Sequence, residues 1–290
     1  MQELLQRLFD RSALAELNQP VALVYLGVAL LVILLGRRIY SASRRYELKD
    51  ELAKTDNPAV AIAFAAYLFA LGGVLFGVLT AGGLAHLGMD LLDLAVTGLV
   101  GALLLIGNQL AMDRFSFPSF SLPTAIAERN IAAALVQAGG YLGSGMVIAE
   151  AIQIEGLSFS LRLLDASIFF VATQMAFLVF TKIYQRLTPF ALHAEIERGN
   201  VAVAISYGLS LVATGHMLAY AVSQTASLVV LAAWFVGSTV ALHCFRWLFD
   251  KIMLPGHDLN HELVRDQNWG VALVEGCLVV VLARFITGVF

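Results

Sequence analysis

Charge is scarce in this chain. Asp, Glu, Lys and Arg make up 13% of its 290 residues, roughly half the share of a soluble globular domain. Apolar residues reach 59% and the mean hydropathy is +0.81. So little charge cannot cover a soluble fold, and the chain belongs in a bilayer. Cysteine is nearly missing: Cys244 and Cys277 sit in apolar runs without CxxC or Cys/His spacing, read as small hydrophobes, and leave the redox compartment open. Mid-membrane proline is absent, since all six prolines fall at helix ends or in connections. Broken helices of the kind that build midplane transporter sites are therefore not indicated, although the glycine-rich stretch 139–145 retains the freedom to unwind. There is no HExxH, no GxSxG, no phosphate-binding glycine loop and no paired-carboxylate set in the connections. These absences argue against an enzyme, and no cofactor or metal is expected; His243 beside Cys244 stands alone near a helix end. A cleavable signal is missing too, so the first apolar run is expected to stay in the mature protein.

What the chain does have is an asparagine that recurs at Asn57, Asn130, Asn200 and Asn268, at spacings of 73, 70 and 68 residues, each opening a long apolar run. Small residues follow two and four positions later. Apolar runs lie at about 20–36, 58–82, 91–111, 131–152, 160–181, 201–222, 226–247 and 269–288, and at about 1.5 Å per residue each can cross a hydrocarbon core of roughly 30 Å. The expected fold is an all-α membrane protein of eight transmembrane helices built from four repeated two-helix hairpins. Pairing the hairpins gives two pseudo-symmetric four-helix halves, 1–150 and 151–290. Because each repeat inserts the same way, the halves should be related by an axis along the membrane normal.

The connections alternate in kind. Those after the second, fourth and sixth runs are short and nearly free of Lys and Arg, while the other four hold fourteen of the eighteen basic residues. The positive-inside rule puts those four in the cytoplasm, which places both termini outside the cytoplasm. Segments such as FALHAEIERGN and LNHELVRDQN predict short amphipathic helices on the cytoplasmic surface. Residues 1–20 have leucines and Phe9 at helical spacing among charges and predict an interfacial helix.

The stretch Lys182-Ile183-Tyr184 through Pro189 and Glu195 to Gly199-Asn200-Val201-Ala202, with counterparts at 114–134 and 251–272, resembles the YjfL-type family of bacterial inner-membrane proteins of unknown function. Members usually have four spanning helices, so this chain looks like a tandem duplication of that unit. The first unit departs from the pattern, having no connection proline and Pro58 directly after its asparagine. The resemblance implies location and topology; it brings no catalytic residues with it.

Several polar residues are candidates for function. Asn57, Asn130, Asn200 and Asn268 are read as helix N-caps; the rival reading is a ring of four helix starts drawing anions to a shared vestibule. Seven residues beyond the asparagines stand Phe64, Gln137, Tyr207 and Glu275, roughly 10 Å into the membrane, where a lone carboxylate is costly. Glu275 with Gln137 and Tyr207 is the candidate intramembrane site; a hydrogen-bonded core carboxyl is the structural alternative. A second candidate group near the outer face combines Asp93 and Asp165, both in Leu-Leu-Asp, with His216 and Arg284, each sixteen residues beyond its asparagine. It reads as a proton- or cation-responsive cluster or as an interhelical salt bridge with Arg284 snorkelling. Asn108, Gln109, Gln174, Ser206, Ser210 and Thr214 read as interhelical hydrogen-bonding residues, and Gly73-xxx-Gly77 and Gly139-xxx-Gly143 as close-packing motifs.

The leading functional expectation is a channel or transport-like protein that passes or senses a small ion or solute through a polar interior. The alternative is a non-transporting scaffold or envelope-stress component whose connections recruit a cytoplasmic protein. The lipid bilayer is the expected partner, homo-oligomerisation stays open, and nucleic acid is not expected.

Overall fold

The computed structural model describes residues 20–81, 86–154 and 157–289; the interfacial helix expected over 1–20 lies outside them but for its last residue. Twelve α-helices follow in order: α1 (Pro20–Ala42), α2 (Leu48–Ala53), α3 (Pro58–Thr80), α4 (Leu87–Ala111), α5 (Leu122–Ala127), α6 (Ile131–Ile152), α7 (Phe159–Leu187), α8 (Leu192–Glu197), α9 (Val201–Gln224), α10 (Leu228–Ile252), α11 (Leu259–Val264) and α12 (Trp269–Val289). Eight of them, α4 continuing through a π turn to Ser116, are long and apolar enough to cross a membrane. Each long connection carries a six-residue helix, α2, α5, α8 or α11. The repeat unit is therefore long helix, short helix, long helix, copied four times.

The units stack as a row. Inner helices α3, α6, α9 and α12 each pack on the next, and outer helices α1, α4, α7 and α10 lie along them. Small residues set the inner spacing. A side chain at Gly139 would strike the backbone of Gly208, one at Gly143 the carbonyl of Leu211, and one at Gly77 the carbonyl of Ala149, so these backbones touch where glycine permits it. Gly73 differs from its partner in the expected motif: a Cβ there meets nothing within 4 Å. The most apolar stretches of α6 and α9 are 78% buried against 11% for α1, which leaves the outer helices facing lipid.

At the end where the long connections lie, the four asparagines cap the inner helices and three of them also tie one unit to the next. Each Oδ1 accepts from the first turn of its own helix: Asn57 from Ala59 and Val60, Asn130 from Ala133, Asn200 from Val203 and Asn268 from Val271. The amide nitrogen reaches into the next unit. Asn57 donates to the carbonyls of Ile126 and Ala127 at the end of α5, Asn130 to those of Ile196 and Glu197 at the end of α8, and Asn200 to that of Leu263 in α11. Those are carbonyls that a helix C-terminus leaves without intrahelical partners. Asparagine carries an acceptor oxygen and a two-donor nitrogen on separate atoms, whereas a Ser or Thr cap has a single hydroxyl and an ionised Asp has no donor. Asn268, in the last unit, donates to Glu262 of its own connection. The helix starts are thus strung along a row and do not converge on a vestibule, which removes the ring reading. The residue before each asparagine, Asp56, Arg129, Gly199 or Gln267, has φ between 47° and 84°, the left-handed turn that ends a helix and redirects the chain.

Candidate functional site

Position seven after the asparagine does the same job in every unit. Phe64 packs at a tilt against Tyr40 of α1 with ring centroids 5.0 Å apart. Gln137 Nε2 donates to Asn108 Oδ1 of α4 at 3.0 Å. The Tyr207 hydroxyl lies 2.6 Å from that of Thr181 in α7. Glu275 Oε1 accepts from Arg246 Nη1 of α10 at 3.2 Å. In a row of like-oriented units, like positions point the same way, here from the inner helix to the outer helix of the same unit. The expected grouping of Glu275, Gln137 and Tyr207 is therefore corrected: they sit in three successive units and face three different helices.

Glu275 has the richest surroundings. Arg246 Nη1 also donates to the Tyr184 hydroxyl at 2.9 Å and to Ser206 Oγ at 2.8 Å, and Nη2 to Asn260 Oδ1 at 3.2 Å. The guanidinium stands 5.3 Å from the Tyr184 ring centroid, a cation–π distance. Glu275 is fully buried and its Oε2 has no partner. Arg246 at the same time lines a cleft of about 280 Å³ at the connection end, with His243, Trp247, Asp250 and Asn260. His243 gives Nδ1 to contact with the Thr239 carbonyl at 2.7 Å and leaves Nε2 buried and without a partner. Asp250 accepts from the Leu259 amide and so starts α11, as Asp113 accepts from Leu122 and starts α5. Arg246 is thus a largely buried, paired guanidinium that also reaches the wall of a cleft.

The first half carries a neutral version of this pair. Asn108 precedes Asn130 by 22 residues and Arg246 precedes Asn268 by 22, while Gln137 and Glu275 each follow by 7. Asn108 Nδ2 also donates to Ser144 Oγ and Gln174 Oε1, and Gln174 donates to Ser144, so four side chains from α4, α6 and α7 close a network. By sequence alone Arg246 is only a topological charge; counting backward from the asparagines as well as forward finds it. Arg44 is likewise indistinct in the sequence: it is buried after α1, donates to the Tyr141 hydroxyl at 2.9 Å and lies 4.1 Å from the Tyr40 ring centroid. Burial pushes up the pKa of Tyr46 beside it. Of the expected hydrogen-bonding residues, Gln109 takes the Tyr141 hydroxyl, and Ser210 and Thr214 bond carbonyls one turn back in their own helix.

The expected Asp93, Asp165, His216 and Arg284 cluster is split, which is a second correction. Asp93 is on α4 and binds Arg162 at the start of α7, a buried ion pair supported by Thr97 Oγ1 at 2.7 Å. Asp165 is half-buried on α7 and joins no ion pair among the described residues. His216 and Arg284 are on the inner helices α9 and α12, where His216 Nε2 lies 3.0 Å from Thr287 Oγ1. The aspartates belong to the outer row and the basic residues to the inner one, so similar depth does not bring them together.

A family model described as Domain of Unknown Function (DUF350) matches residues 12–152 and again 158–290. Among curated proteins, the chain is similar to the UPF0719 transmembrane protein YshE of Bacillus subtilis (strain 168), 22% identical over 105 residues that cover 36% of this chain and 78% of that protein. No solved structure matches. The half-length repeat, the eight spans and the two family matches agree: this is a multi-pass membrane protein that belongs to the DUF350 family and carries two tandem copies of its domain.

Proposed function

We propose that the protein binds a small anion, together with a proton, at the Arg246–Glu275 pair, and so senses or passes a small solute from the connection side of the membrane. The observation that carries this reading is the double situation of Arg246, fixed to the buried Glu275 and yet part of the cleft wall. An anion that takes over the guanidinium leaves the Glu275 carboxylate uncompensated in a low-dielectric interior, which is costly. A proton taken up by Glu275, whose Oε2 has no partner, removes that cost and keeps the site's net charge unchanged. The distribution of basic residues supports a cytoplasmic mouth for the cleft. The separation of the polar sets into successive units supports a local binding site over an open pore.

The test is anion binding to purified protein at two pH values, with Trp247 in the cleft wall as the reporter. Saturable binding that tightens from pH 8 to pH 6 and is lost in the Arg246→Asn, Glu275→Gln double variant supports the reading. Absence of saturable binding across chloride, nitrate, acetate and phosphate contradicts it.

A second reading, recruitment of a soluble protein, has its own observation. A surface cleft of about 530 Å³ lies between α5 and α8 and is lined by Glu128, Arg129, Glu197 and Arg198. Crosslinking in cells should recover a partner that Arg129→Glu, Arg198→Glu releases; recovery unaffected by that charge reversal counts against it.

A further inference from the structure

The face of the inner row that turns away from the outer helices is concave at the end where the short connections lie. A groove of about 480 Å³ runs there, and all four inner helices contribute to it. Its lining is largely apolar, with Phe69 and Phe76 of α3 and Leu142 and Met146 of α6. Gly73 lies in the same wall, and the open space around its absent side chain widens the groove. Its rim is polar. Glu150 of α6 and Arg284 of α12 both line it, yet they form no ion pair with each other or with any other described residue. The rim positions are fixed by hydrogen bonds between helices: Thr80 donates to Gln153 at 3.0 Å across α3 and α6, and His216 meets Thr287, three residues from Arg284, across α9 and α12.

Two opposite charges that share a groove without touching fit a ligand carrying both charges in the reverse order. An unpaired arginine at the edge of the hydrocarbon region draws an anion, and lipid phosphate is the anion present at that depth. The apolar lining beside the charges calls for an acyl chain in the same ligand. We propose that this groove binds one phospholipid with a zwitterionic, amine-bearing headgroup, its phosphate on Arg284, its amine on Glu150, and an acyl chain lying along Phe69, Gly73 and Phe76. The site is independent of the Arg246–Glu275 pair, which lies at the opposite end of the second half.

Native mass spectrometry of the detergent-purified full chain, offered phosphatidylethanolamine or phosphatidylglycerol of equal chain length, tests the assignment. The expected result is one retained phosphatidylethanolamine, preferred over phosphatidylglycerol. Arg284→Ala should weaken retention of both lipids by about tenfold, the size of one charge-assisted contact. Glu150→Gln should abolish the preference while leaving phosphatidylglycerol retention as it was. Gly73→Leu, whose Cβ meets nothing within 4 Å, should block both lipids without lowering the melting temperature. Equal retention of the two lipids by the unmodified protein overturns the amine assignment. Retention unchanged in Arg284→Ala and Gly73→Leu overturns the site, as does binding of glycerophosphoethanolamine or inorganic phosphate as tight as that of the whole lipid.

Discussion

Asn57 caps its own helix through its oxygen and, through its nitrogen, donates at 3.0 Å to the carbonyl of Ala127, seventy residues further on. One side chain thereby closes a helix start in one unit and a helix end in the next. The same double bond recurs at Asn130 and Asn200, so the residue that marks the repeat in the sequence also joins the repeats in space.

Asn130 offers the clearest test of that role, because its amide meets only the Ile196 and Glu197 carbonyls and no carboxylate. Asn130→Asp keeps the cap acceptor and loses both donors while setting a negative charge against the carbonyls. The expected cost is about 1–3 kcal/mol, read as a lower melting temperature in detergent. Asn130→Asp with wild-type stability would show that capping alone explains the residue.

The Arg246–Glu275 pair should be far more sensitive to loss of one partner than of both. Glu275→Gln leaves a buried guanidinium without its counter-charge and should cost about 3–5 kcal/mol. The double variant Arg246→Asn, Glu275→Gln copies the first half's Asn108 and Gln137 and should recover most of that loss. A double-mutant cycle in thermal melts measures the coupling; additive losses would contradict the repeat equivalence.

Close backbone contact along the inner row predicts an asymmetry between two glycines of similar motifs. Gly139→Ala drives a methyl group into Gly208 and should cost about 1–3 kcal/mol through overpacking. Gly73→Ala meets open space and should be neutral or slightly stabilising. Equal effects at the two positions, measured by melting temperature, would argue against the α6 and α9 contact.

Acid should weaken the connection end. Burial lowers the pKa of His193, whose ring lies 5.0 Å from that of Phe117, against a smaller opposing effect of a hydrogen bond with the Ser116 backbone. The unfolded chain then binds a proton more readily than the folded one, so this contribution to stability is complete above about pH 6.5 and declines as pH falls through the lower folded value. Melting temperatures between pH 8 and pH 5 should fall less steeply in His193→Gln than in the wild type.

Much of this fold was legible because the bilayer makes length and hydropathy decisive, and because the asparagines set a ruler for the repeat. That ruler located Glu275 and Gln137 correctly within their units. It did not show that like positions in a translated row point in parallel, so residues at equal depth were expected to meet when each turns to its own outer helix. Arg162 and Arg246 escaped notice for a related reason: near a helix end, an arginine that forms a buried ion pair has the same sequence appearance as one that orients the chain. The pairing depends on which helices adjoin, and only the order of the rows fixes that.

The measurement closest to the central claim is the Trp247 fluorescence titration with acetate, chloride, nitrate and phosphate at pH 8 and pH 6. Anion binding at the Arg246–Glu275 pair predicts a saturable response to at least one anion, with affinity rising about tenfold or more as pH falls over those two units, and no response in the Arg246→Asn, Glu275→Gln double variant. A response that ignores pH, or one that survives in the folded double variant, would contradict it.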